Sequence, residues 1–136
     1  MEGTYLYQAE TEKPLPQFVQ DLGQIASEHG FFIHNEDKME LANTFGKHGI
    51  EVSEEFDLHM IQICNPQKAS KSLTTNPERA ALMPKFITTF SQNGKVQIRM
   101  LVYGTNLISS LLADQTFPGS LEASYNKIIA MIEQAR

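Results

Sequence analysis

The 136-residue chain contains no tryptophan and one cysteine, Cys64. A lone cysteine forms no internal disulfide, so nothing in the chain marks an oxidising compartment. A basic excess is also missing: eleven Lys and Arg stand against sixteen Asp and Glu, for a formal net charge of −5. Phosphate backbones are recognised by clustered positive charge, so nucleic acid is not an expected partner. Long apolar runs are absent. The densest, "NLISSLLA" from Asn106 to Ala113, falls far short of the ~20 residues that a membrane-spanning helix needs. The opening "MEGTYLYQAETEK" has no basic start followed by an apolar segment, so it does not read as a signal peptide. These absences point to a cytoplasmic protein with no membrane partner. The chain also carries no Gly-x-Gly-x-x-Gly, no Walker loop and no Gly-x-Ser-x-Gly, the short motifs of dinucleotide, nucleotide and hydrolase sites.

What is present fits one domain over residues 1–136. Hydrophobic content of 41% and charged content of 20% are those of a globular chain. At this length a core forms without a structural metal or disulfide. "TYLYQ" (Thr4 to Gln8) is rich in strand formers. After Pro14 and Pro16, Phe18, Val19, Leu22, Ile25 and Ala26 recur at three- and four-residue spacing and predict a helix, with Gly30 as its stop. "FFIHN" (Phe31 to Asn35) predicts a second strand, and Lys38 to Lys47 a helix weakened by Gly46. Phe56 to Cys64 reads as a long apolar strand, followed by a short helix from Pro66 to about Thr74 and a turn or two of helix over "NPERAALM".

Strands over Lys85 to Ser91 and Lys95 to Tyr103 flank Asn93-Gly94. Both central residues of a type I′ turn need positive φ, so this pair predicts a hairpin, and a hairpin excludes a purely parallel sheet. "NLISSLL" predicts a buried short helix. Gly119-Ser120 precedes a last helix at about 120–135, striped by Leu121, Tyr125, Ile128, Ile129 and Ile132. The expected class is α+β: one mixed or antiparallel sheet with its main helices on one face.

Within "ICNPQKA", Asn65 and Pro66 have a structural explanation. Asn is a preferred N-cap, Pro is favoured in the next position, and Pro holds the residue before it out of the helical region. Cys64 has two readings. It is either a small buried hydrophobe at a strand end, or a thiol whose pKa is lowered by the following helix start and by Lys68 and Lys71. The first carries more weight.

The ordered set Cys64-Asn65-Pro66, Ala69, Asn76-Pro77, Met83-Pro84 and Asn93-Gly94 resembles the domain of unknown function 302 family. The resemblance runs from about Phe18 to Met100. It implies a compact β-α-β(4)-α core and homodimers, and no established activity. Many members of that family have a second cysteine directly after the apolar-Pro step, where this chain has Lys85. A two-cysteine redox or metal site is therefore not expected.

No metal site or cofactor is expected from the residues either. His29, His34, His48 and His59 form no ligand pair at helical spacing, and zinc needs three or four converging ligands. His59 and Cys64 are an odd number of residues apart, hence on opposite faces of a strand. Two function classes stay open. One is a non-enzymatic binding or sensing module, a homodimer holding a small molecule or anion near Cys64, Asn65, Lys68 and Lys71. The other is a thiol enzyme or redox protein using Cys64. The hairpin from Phe86 to Tyr103, read as a sheet edge in need of cover, adds a second motive for a homodimer.

Overall fold

The computed structural model describes residues 3–136. Strand Tyr5–Thr11 (β1) leads into helix Leu15–Glu28 (α1), the short strand Phe32–Ile33 (β2) and helix Leu41–Gly46 (α2). Strand Leu58–Cys64 (β3) is followed by helix Pro66–Thr75 (α3) and a 3-10 helix at Pro77–Leu82. Strands Lys85–Gln92 (β4) and Lys95–Val102 (β5) form the hairpin, and helices Thr105–Leu111 (α4) and Phe117–Ala135 (α5) close the chain. With α2, α3 and α4 as additions, the order is β-α-β(4)-α, as the resemblance implies.

The five strands form one sheet in the order β1-β5-β4-β3-β2, antiparallel at every pairing. Side chains alternate across it. Tyr7, Ile61, Ile63, Ile87, Ile98 and Met100 point into the core, where Phe18 and Leu22 of α1 and Tyr125, Ile128 and Ile132 of α5 meet them. The predicted apolar stripes are therefore the faces that the two long helices bury. On the other face Leu6 and Leu101, which are register partners, are each 50% exposed, with no helix among the described residues burying them.

Local chemistry explains most element boundaries. Asn93 and Gly94 have φ of 58° and 76°, the left-handed pair that a type I′ turn requires. Gly30 has φ of 79°, and a Cβ there would lie 3.4 Å from Asn65 Nδ2, so glycine serves both the turn and the close approach.

Four expectations need correction. The β4–β5 hairpin lies in the middle of the sheet, not at an edge; β1 and β2 are the edges. The second strand is two residues long, because the Asn35 side chain takes over the pairing. Its Nδ2 donates to Met60 O at 2.8 Å, and its Oδ1 accepts from Gln62 N at 2.8 Å. The helix over "NLISSLL" is mostly at the surface: it buries only Ile108, and Leu111 is 57% exposed. The last helix starts at Phe117, with Gly119 inside it, because the Asp114 carboxylate accepts from the Phe117 N–H at 2.9 Å and Pro118 follows in the first turn. No helix among the described residues is long and apolar enough to cross a membrane.

Candidate functional site

Asn65 caps α3 as its sequence indicates. Its Oδ1 accepts from Lys68 N at 3.1 Å and its carbonyl from Ala69 N at 2.8 Å. Pro66 occupies the first turn and has no N–H. The second Asn-Pro acts alike: Asn76 Oδ1 accepts from Glu78 N at 3.2 Å at the start of the 3-10 helix.

A narrow pocket of about 50 Å³ opens between the first turns of α3 and α5 and the start of β4. Cys64, Asn65 and Lys68 line it, together with Lys85, Ser120 and Ser124. No carboxylate lines it, although the chain as a whole is acidic. The first turn of α3 has no acidic residue to neutralise its positive end, whereas the start of α5 is met by the Asp114 carboxylate. Lys71, expected with this group, is exposed one turn further along α3 and contributes no lining atom.

Lys85 is the residue that sequence reasoning passed over. It is register partner to Ile63 on the core side of the sheet and only 9% exposed. Its Nζ has neither a hydrogen bond nor an ion pair among the described residues. The nearest aromatic face is the Tyr125 ring, whose centroid lies 5.7 Å away. By contrast, Lys13 bonds Asp21 at 2.8 Å and Lys95 bonds Glu10 at 3.1 Å. A buried ammonium ordinarily has such a partner, since an isolated charge is costly to desolvate. Burial holds the Lys85 pKa below the ordinary lysine value; the neighbouring Cys64 opposes that shift, and the like charge of Lys68 adds to it. Burial pushes the Cys64 thiol up, and Lys85 offsets part of that rise. Cys64 is half-buried. The helix start therefore does not leave it a low-pKa thiol. The one sequence signal for Lys85 was its occupation of a position where the resembled family often has cysteine.

The pocket wall beside α5 is fixed by an ion pair that joins distant parts of the chain. Arg79 Nε donates to Asp114 Oδ2 at 2.6 Å and Nη2 to Asp114 Oδ1 at 3.1 Å. Asn76 Nδ2 adds a bond to Asp114 Oδ2 at 2.9 Å. Arg79, Asn76 and the Phe117 N–H together hold the Asp114 carboxyl well below the usual carboxylate range. Arg79 also lies over the Phe117 ring, 5.1 Å from its centroid. The 3-10 helix is thereby tied to the first turn of α5, and α5 lines the pocket with Ser120 and, one turn on, Ser124.

A second cleft lies between α1 and β2, walled by Val19, Gly23, Ile33, Met39 and His59. His59 lies on the core side with Ile61 and Ile63, apart from the Cys64 pocket. Its ring nitrogens are 3.6 Å from Glu40 and 3.1 Å from Asp57. Among the described residues, no three His, Cys, Asp or Glu side chains converge as metal ligands.

Residues 7–135 match the family described as Domain of unknown function DUF302. The fold is similar to a crystal structure of an uncharacterized conserved protein DUF302 from Bacillus stearothermophilus. The two share 18% identity over 97% of this chain and 98% of that one, with a TM-score of 0.75. At that identity the likeness speaks to the fold. No curated protein matches the chain.

Proposed function

This chain belongs to the DUF302 family, and we propose that it is a non-enzymatic binding module that holds a small anion in the Lys85 pocket and acts as a cytoplasmic homodimer. One observation carries the ligand class: a buried Lys85 without a partner of its own lines a pocket that has no carboxylate. An anion entering there supplies the missing counter-charge. Lys68 adds a second cation at the rim, and the first turn of α3 adds the positive end of its dipole. The backbone contribution of α3 is small, because Pro66 has no N–H and Lys68 N is already bonded to Asn65. Side-chain charge therefore dominates. The small volume favours a ligand of a few heavy atoms over a nucleotide.

The raised pKa of Cys64 favours binding over thiol chemistry, since only a thiolate is an effective nucleophile. The uncovered sheet face supports the homodimer: Leu6, Phe32 and Leu101 are about half exposed there, beside partly buried Phe86 and Phe90. The free thiol accords with a reducing compartment.

Titration of the protein with malonate and with phosphate, followed by amide NMR, tests the ligand class. Saturable shifts confined to residues around Cys64, Lys68 and Ser120, and lost in Lys85→Met, are expected. Shifts that are absent or spread over the surface would refute it.

A further inference from the structure

We propose that Lys85 is a carbonyl-reactive amine that forms an imine with a small 2-oxo acid, whose carboxylate lies against Lys68. This rests on the anion-binding reading above and names the ligand class of the same pocket. Three observations lead to it. Lys85 is 9% exposed, and its Nζ has no hydrogen-bond or ion-pair partner among the described residues, so its charged form has the Tyr125 ring face, 5.7 Å away, and no counter-charge. It lines a cavity of about 50 Å³, large enough for a few heavy atoms. A second cation, Lys68, lines the same cavity and separates two tasks, one lysine for the carboxylate and the other for the carbonyl.

Desolvation is the established way to make a lysine amine nucleophilic, because it favours the neutral form that has a free electron pair. The depressed pKa of Lys85 has that cause. Ser120 and Ser124 line the same pocket, and their hydroxyls make no side-chain hydrogen bond among the described residues. They are placed to bond the carbonyl oxygen as it becomes a hydroxyl.

The step balances without a further reactant. The neutral Nζ adds its electron pair to the carbonyl carbon, and the carbonyl oxygen takes a proton to give a carbinolamine. Loss of that hydroxyl as water leaves a carbon–nitrogen double bond that carries one proton. The net change is ammonium plus ketone to iminium plus water. Charge is conserved and nothing is oxidised or reduced.

The test uses the whole chain with pyruvate as the probe and cyanoborohydride to reduce any imine, followed by intact mass and peptide mapping. The expected result at neutral pH is one reduced adduct, on the peptide that carries Lys85, with labelling about tenfold above any exposed lysine. Exposure alone would give the opposite order, so the preference separates a tuned amine from accidental modification. Labelling spread over surface lysines, or its absence from Lys85, overturns the proposal. Lys85→Arg keeps the charge and forms no imine, so its adduct should disappear while malonate still binds; an adduct of undiminished yield in that variant also refutes it. The mapping of the parent protein decides the matter even if the variant does not fold. Malonate binding without an adduct at Lys85 sinks this inference and leaves the anion-binding reading standing. Loss of both sinks both.

Discussion

Ile63 and Lys85 face each other across β3 and β4, so a fully buried isoleucine has an amine as its register partner. On a sheet face that also carries Tyr7, Ile61, Ile87, Ile98 and Met100, that amine is a buried charge among apolar side chains.

Replacing Lys85 by Met should remove an unpaired buried charge and leave stability unchanged or raise it by about 1–3 kcal/mol. The pH dependence has a definite sign. The Lys85 pKa is lower in the folded state than in the unfolded one. The unfolded chain therefore binds more protons between the two values, and stability rises with pH across that window, up to the ordinary lysine value of 10.5. Denaturant melts from pH 7 upward should show this rise in the parent and lose that part of it in Lys85→Met. Equal slopes in the two proteins would argue that Lys85 is solvated.

Cys64 should behave as an ordinary or sluggish thiol. Its raised pKa predicts slow reaction with iodoacetamide at pH 6–7 and acceleration only above the ordinary thiol value of 9.0. Cys64→Ser, which puts a hydroxyl in a half-buried site, should cost about 1–3 kcal/mol, and Cys64→Ala less. Fast alkylation near pH 6 together with neutral stability in both variants would restore the thiol reading.

Asn65→Ala removes the α3 cap and should cost about 1 kcal/mol. Asp114→Ala should cost more, because it leaves Arg79 buried without its partner and uncaps the start of α5. The folded-state pKa of Asp114 is depressed, so the stability it supplies is present above its unfolded value of 3.8 and is lost as pH falls through the folded value. In urea melts the gap between parent and Asp114→Asn should be full near neutrality and narrow below about pH 4. A gap that is independent of pH would mean that the carboxylate charge is not what matters.

Leu101→Lys places a charge in the apolar patch of the uncovered sheet face, where Leu101 pairs with Leu6 of the edge strand β1. Light scattering should give a dimer mass for the parent at micromolar concentration and a monomer mass for the variant, with unchanged far-ultraviolet circular dichroism. A monomeric parent would remove the homodimer from the proposed function.

The sequence by itself determined the features whose causes lie within a few residues. The Asn65-Pro66 cap, the Asn93-Gly94 turn and the stripes of α1 and α5 all depend on φ preferences, on hydrogen bonds reaching three positions, or on helical periodicity. One such signal was overlooked: Asp114 sets the start of α5 at Phe117 from only three residues away. The resemblance added the β-α-β(4)-α order, and it marked Lys85 as a departure. Tertiary structure alone decided that the hairpin sits in the middle of the sheet, since strand order depends on β1 returning to pair with β5. It also decided that Arg79 meets Asp114, 35 positions away, and that Lys68 lines the pocket while Lys71 does not. The burial of Lys85 is of the same kind. A lysine next to a proline looks exposed in any local window, and only the packing of α5 over the start of β4 takes it out of water.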